Sequence, residues 1–299
     1  MNDADRPAGR GLGYGLLAYF VWGFFPAYFK AVASVPALQV VAHRIVWSAL
    51  FLLLVIALRR SWQGVRAVLH DPPAVLILAI SALLIGTNWL VFVLAVEHGQ
   101  ILQSSLGYFI TPLVSIVLGY LFLQERLRRL QLVSVGLAVL GVIILTVQHG
   151  RFPWVALTLA VTFGSYGLLR KVVRADPLVC LTVETVLLAP LALGYLFLAS
   201  WHGEGAFLHQ GGLIDLLLPL AGVVTAVPLL LFAAAARSLR LATIGFLQYI
   251  TPTMHFLLAV FAYGETFTSA HLVSFLLIWA GLGCYSWDAF RNMALPRRS

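Results

Sequence analysis

Arg44 is the residue hardest to explain as packing. It lies within the apolar run 37–58 (ALQVVAHRIVWSALFLLLVIAL). A charged side chain at the middle of a membrane-length segment costs about 2.5–3.5 kcal/mol on insertion scales, so it needs a wet cavity or a partner. Its guanidinium stays charged and can grip a carboxylate through two parallel hydrogen bonds, which suits a fixed cation for an anionic solute. The plainer reading is an ion pair locking two helices. His43 precedes it, and Glu184 stands 141 residues on, from 43 to 184. A carboxyl in a low-dielectric cavity is a group that can accept a proton, alone or with His43. The plainer reading is a neutral, hydrogen-bonded Glu and a packed His.

Other residue types point at the same place. Asn88 is a mid-segment amide that must find partners on another helix or in water. Trp22, Trp47, Trp89, Tyr108, Tyr166 and Tyr249 fall well inside segments, away from the interfaces where aromatic belts lie. They can wall a cavity that stacks on aromatic or amphipathic solutes, or simply pack. Pro112 and Pro252 each remove one helical hydrogen bond and free the carbonyl four residues earlier, on Tyr108 and Gln248. In lipid that is tolerated only beside protein donors or cavity water, so the two prolines mark hinges next to a site. Thr111 and Thr251 can also bond backward to a carbonyl. His255 reads as a satisfied interhelical histidine.

These residues need elements to hold them, and the composition names the solvent. The 299 residues are 61% hydrophobic and 10% charged, with a mean hydropathy of +0.96. That leaves too little polar surface for a water-soluble globule. The apolar runs are of helix-spanning length, and the strand alternation of a barrel is missing. Ten segments are predicted, at 11–31, 37–58, 73–97, 101–123, 129–147, 152–171, 177–199, 213–236, 240–262 and 269–287. Turn chemistry at Val35-Pro36, Asp71-Pro72-Pro73, His98-Gly99 and Asp176-Pro177 separates several of them. Cys180 and Cys284 lie inside segments and read as small packing residues. The first segment reads as a retained helix, because it lacks a convincing cleavage site.

The formal net charge of +8 does not describe a nucleic-acid binder, since the basic residues form short clusters at segment ends and no extended basic face. They alternate instead. Of the 19 Lys and Arg, Lys30 and Arg151 alone fall on one side, with Arg44 inside a segment and the rest opposite. The positive-inside rule then puts both termini in the cytoplasm.

The sequence also repeats itself. Ile110-Thr111-Pro112 with Glu125 returns as Ile250-Thr251-Pro252 with Glu265, a spacing of 140 residues. Gly141 and Gly281 keep the same spacing, while Gly23/Gly164 and Lys30/Lys171 stand 141 apart. The division falls at 1–148 and 149–299. Five segments per copy is an odd number, so the copies lie upside down relative to each other. The fold class expected is an all-α membrane protein of ten transmembrane helices in two inverted five-helix repeats. Such a pair encloses a cavity near the bilayer midplane that opens to either side in turn, the arrangement of a carrier. Glu125 and Glu265, each just before a helix start, read as caps for orphan amides. The pairs Gly136/Gly141 and Gly281/Gly283 allow close helix contact.

The two five-helix copies and the I-T-P with its following Glu resemble the EamA domains of the drug/metabolite transporter superfamily. Gly15 to Lys30 (GLLAYFVWGFFPAYFK), HRIVWS at His43 to Ser48, and Asn88-Trp89 resemble its RarD branch, often labelled chloramphenicol-sensitive protein. The resemblance covers nearly the whole chain and implies a ten-helix inner-membrane carrier. It names no solute.

The expected function is a secondary transporter, an exporter of a small organic metabolite or drug by alternating access. The cavity would be built from Trp22, His43, Arg44, Asn88, Trp89, Tyr108, Tyr166, Glu184, Gln248 and Tyr249, with an anionic or aromatic solute as partner. No motif for nucleotide hydrolysis, nucleophilic catalysis or a metal site occurs, so no cofactor is expected. The energy source is then an ion gradient, with a proton as the coupling ion, or the solute's own gradient in a facilitative carrier. Two rivals stay open, an intramembrane lipid-modifying enzyme and a non-transporting assembly partner. The sequence leaves the oligomeric state open.

Overall fold

The computed structural model describes residues 5–124, 128–150, 152–173, 175–239 and 247–294. Its elements are helices: α1 (Asp5–Gly23), α2 (Phe25–Ala31), α3 (Ala37–Leu58), α4 (Trp62–Leu69), α5 (Pro72–Glu97), α6 (Ile101–Leu123), α7 (Arg129–His149), α8 (Trp154–Val172), α9 (Pro177–Trp201), α10 (Gly212–Ser238), α11 (Ile250–Leu257) and α12 (Ser269–Ala294). A π-helical turn, Leu258–Ala262, continues α11. Among the described residues, eight helices or helix pairs are long and apolar enough to cross a membrane: α1–α2, α3, α5, α6, α7, α9, α10 and α12. This is an all-α membrane protein.

Two of the ten expected segments fall outside that set. The helix α8 is 19 residues long but ends on Arg170 and Lys171, which dilute its apolar character. The stretch Ile250–Ala262 is apolar but short, and 240–246 before it lies outside the described residues. One element was not expected at all. Behind Arg59 and Arg60, α4 buries Val65 and Val68 and leaves Trp62 and Leu69 exposed. Eight residues are too few to register as an apolar segment, yet enough for a short amphipathic helix lying on the bundle.

Proline positions set the local breaks. The first segment is not one helix, because Pro26 at the start of α2 cannot donate to the Trp22 carbonyl, and the chain turns at Phe24. Asp71 and Asp176 cap α5 and α9, each accepting from a backbone amide of the first turn, with proline at the opening positions.

The helices pack in pairs: α3 on α9 and α10, α1 on α10 and α11, α5 on α8, α6 on α8, and α7 on α12. At the last interface a Cβ on Gly141 would stand 3.1 Å from the Ser274 carbonyl oxygen, and one on Gly281 would stand 2.8 Å from that of Ser134. Position 141 faces 274 and 134 faces 281, so α7 and α12 run antiparallel. Gly136 and Gly283 have open space around them. Large apolar side chains such as Leu54, Leu76, Phe197, Phe261 and Trp287 cover the outside. In water that area would aggregate; against lipid tails it is the expected surface.

Candidate functional site

Helices from both halves of the chain enclose a cavity of about 480 Å³, lined mostly by aromatic and aliphatic side chains. That is within the ordinary range for small-molecule sites. Arg44, from α3, reaches into it while only 3% exposed to solvent. Its Nε donates to Thr225 Oγ1 at 2.7 Å. Its guanidinium carbon lies 4.3 Å from the centre of the Trp89 ring and 5.3 Å from those of Phe25 and Phe29. These faces offer a cation the negative side of their quadrupoles. Among the described residues no carboxylate pairs with Arg44, and no acceptor meets its Nη groups. The helix-locking ion pair that would make it structural is not formed there.

Trp22, Asn88, Trp89, Tyr108, Tyr166 and Gln248 also line this cavity. Asn88 is fully engaged. Its Nδ2 donates to the Leu159 carbonyl at 3.1 Å and to Thr162 Oγ1 at 2.9 Å, and its Oδ1 accepts from the Tyr108 hydroxyl at 3.1 Å. The amide therefore ties α5 to α8 and fixes the Tyr108 ring; it is an anchor for the wall.

His43, Glu184 and Tyr249 are not on the lining. His43 packs its ring against Phe207 at 5.3 Å. Tyr249 stacks on Phe109. Glu184 lies behind the wall, fully buried, where Ser81 Oγ donates to it at 2.7 Å and the Tyr166 hydroxyl at 3.4 Å. Arg170 stands 3.7 Å from it. So Glu184 touches two residues that line the cavity without facing it.

The two prolines behave differently. Pro112 sits inside the 23-residue α6, where Thr111 Oγ1 bonds back to the Gly107 carbonyl at 3.0 Å. Pro252 lies in the first turn of α11 and lines the cavity, while Thr251 Oγ1 bonds across to the Tyr19 carbonyl at 2.9 Å. Thr251 does not bond backward, because the helix it would bond back along begins only at Ile250.

Two functional-looking residues were undervalued by sequence. Arg170 lines the cavity, yet next to Lys171 it reads as an ordinary flanking charge. His255 lines it too, 1% exposed, its Nε2 on the Trp22 carbonyl at 3.1 Å. That carbonyl is the one Pro26 sets free. The signal was present: a proline, the orphan acceptor it makes four residues earlier, and a buried histidine with a hydrogen to give.

A bundle of membrane-length helices folded around an aromatic cavity defines a polytopic membrane protein with room for a small molecule, and comparison with known proteins says of which kind. Residues 9–147 match the EamA-like transporter family. An "Uncharacterized transporter" of Vibrio cholerae is 44% identical, covering 100% of this chain and 99% of that one. The "Protein RarD" of Escherichia coli is 44% identical over 94% of this chain and 95% of its own. The "Chloramphenicol-sensitive protein RarD" of Pseudomonas aeruginosa is 32% identical over 98% and 99%. One solved crystal structure, 18% identical, covers 94% of this chain and 98% of its own with a TM-score of 0.62, a likeness of fold alone. The chain belongs to the EamA-type transporters, in their RarD-like branch.

Proposed function

We propose that the chain is an inner-membrane secondary transporter exporting a small organic solute by alternating access. Its ten transmembrane helices form two inverted five-helix repeats, residues 1–148 and 149–299, with both termini cytoplasmic. The observation that carries the reading is reciprocal packing. Gly141 faces Ser274 as Gly281 faces Ser134, in antiparallel helices whose members correspond at a spacing of 140. Gly23 packs on Met254 as Gly164 packs on Val114, and Gly15 packs on Leu247 as Ala156 packs on Gly107. Contacts that recur with both partners exchanged are what a two-fold axis between inverted copies produces. The cavity reaches Arg170, Ala175 and Pro177 at the α8–α9 junction, the basic side and hence the cytoplasmic one, which fits a state loading from within.

Glu184 serves as the proton-accepting group of this reading. Its carboxylate is the counter-charge of Arg170, so a proton on it releases a cavity cation. A facilitative carrier is the second reading, favoured by the place of Glu184 behind the wall. Thermal-shift screening of a metabolite library, with Arg44→Ala as control, supplies the solute. Flux of that solute into liposomes, with and without a pH gradient, then tests the reading. Acceleration by the gradient, lost in Glu184→Gln, supports coupling. Equal flux in all cases leaves a facilitative carrier, and no flux at all overturns transport.

A further inference from the structure

Three features of the cavity, taken together, describe the molecule that fits it. The first is charge. Among the described residues, Arg44 and Arg170 are the ionised side chains on the wall, and no carboxylate lines it. Arg170 already has Glu184 within 3.7 Å. Arg44 has no such partner among the described residues, which leaves one uncompensated positive charge, 3% exposed. A buried cation in that position is relieved by one anionic group.

The second feature is the geometry around that cation. Nε is spent on Thr225, and the Trp89, Phe25 and Phe29 rings hold the guanidinium plane. No acceptor among the described residues claims the hydrogens of the Nη edge, two of them parallel, which is the fork that a planar carboxylate accepts.

The third is a single orphan acceptor. His255 uses Nε2 on a backbone carbonyl, which can only accept, so the hydrogen is on Nε2 and Nδ1 carries a lone pair. Nδ1 is buried with no partner among the described residues and out of reach of a water-sized molecule in the cavity, so a donor meets it only after a small shift of the ring. An unmet acceptor in a low-dielectric wall is unfavourable until a donor reaches it. Rings run without a gap from one end to the other: Phe29 beside Arg44, Phe92 at 5.9 Å from Phe29, His255 at 5.3 Å from Phe92, and Tyr108 beside both Phe92 and His255.

We infer that the cavity takes an aromatic monocarboxylate whose carboxylate lies on the Nη edge of Arg44 and whose N–H or O–H donates to Nδ1 of His255. The ring system of the solute stacks along the Phe92–Tyr108 wall. A zwitterion with an ammonium group is disfavoured, because no acidic side chain among the described residues of the wall receives it. As cargo this solute rests on the carrier reading; as a ligand it stands without it.

The test is equilibrium binding to the purified full chain, measured by isothermal titration calorimetry. The probes are indole-3-acetate and its longer homologue indole-3-butyrate, against naphthalene-1-acetate, indole, tryptamine and tryptophan. One of the two indole acids should bind at least about tenfold more tightly than indole, tryptamine or tryptophan. It should exceed naphthalene-1-acetate, which lacks the N–H, by about fivefold. Arg44→Gln should abolish the preference for acids, and His255→Phe should erase the gap between indole and naphthalene acids. If Arg44→Gln does not fold, Arg44→Lys and the probe series on the unaltered chain decide. Equal or tighter binding of tryptamine or indole overturns the inference, as does an acid preference that survives Arg44→Gln, or no binding by either indole acid. Binding of the acids without counterflow in liposomes sinks the carrier reading and leaves this one standing. Counterflow of some other solute with no acid preference does the reverse.

Discussion

The same four residues, Ile-Thr-Pro and a later Glu, occur twice in the chain, and the Ile-Thr-Pro has different surroundings in each place. In the first copy the Ile-Thr-Pro lies within α6, an unbroken helix from Ile101 to Leu123, with Thr111 bonded to its own helix. In the second, the chain turns at Gln248 and Tyr249, α11 runs only from Ile250 to Leu257, and a π turn follows. Thr251 there reaches α1. Glu265 accepts from the amides of Ile101 at 2.7 Å and Leu102 at 2.8 Å, so it caps the helix that carries the first copy of the motif. Glu125, the matching acid, lies outside the described residues. One motif can thus lie in a continuous rod or at the start of a broken one. The Ile-Thr-Pro itself does not make the choice, because it is the same in both places.

This contrast can be broken by removing the cap. Glu265→Ala strips two charge-assisted bonds from the amides that open α6 and should cost about 2–4 kcal/mol in unfolding free energy, measured by denaturation in detergent. An unchanged midpoint would mean that the cap holds nothing. Next in size are the prolines. Pro112→Ala restores a mid-helix bond and should raise stability by about 1–3 kcal/mol. Pro252→Ala lies in a first turn, where the amide has no helical partner, and should change it by under about 0.5 kcal/mol. Equal effects from the two would erase the asymmetry. The threonines sharpen it further. Thr251→Val loses the tie to α1 and should cost about 1 kcal/mol, whereas Thr111→Val loses a bond within its own helix and should cost less than half of that.

The smallest expected effect is with pH. Burial raises the Glu265 carboxyl above its ordinary 4.5, against the opposing pull of the Leu102 and Ile101 amides and of Lys30. The folded chain then holds this proton more tightly than the unfolded one. Stability therefore falls as pH rises from the ordinary carboxylate value through the raised one. The slope should be absent in Glu265→Gln. A wild-type chain that gains stability over that window would reverse the sign assigned to burial here.

Much of this was legible in the amino acids. Arg44 stands out because a guanidinium has no cheap place in lipid, and Asn88 because its amide must be met on all sides. Glu265 reads as a cap, and a cap it is, although the helix it serves belongs to the other copy. Sequence spacing names equivalent positions but not partners across the bundle, so it could not foresee that. His43 and Tyr249 looked like site residues because they sit at the right depth. Depth along a helix is visible in a sequence, whereas rotation about its axis is not when every face is apolar. His255 reads as a satisfied interhelical histidine, and it does bond across to α1, on the Trp22 carbonyl that Pro26 frees. Its place on the cavity wall is not visible in the spacing. Helix α4 went unseen since its eight residues carry no membrane-length pattern.

The seam between Gly141 and Gly281 has a consequence for origin. Each glycine meets the serine carbonyl that its own counterpart's helix provides, so the join asks nothing of one strip that the other does not already possess. Two separate half-length chains, identical and facing opposite ways, could make it with no new surface. Joining them end to end would tether a handshake already in place.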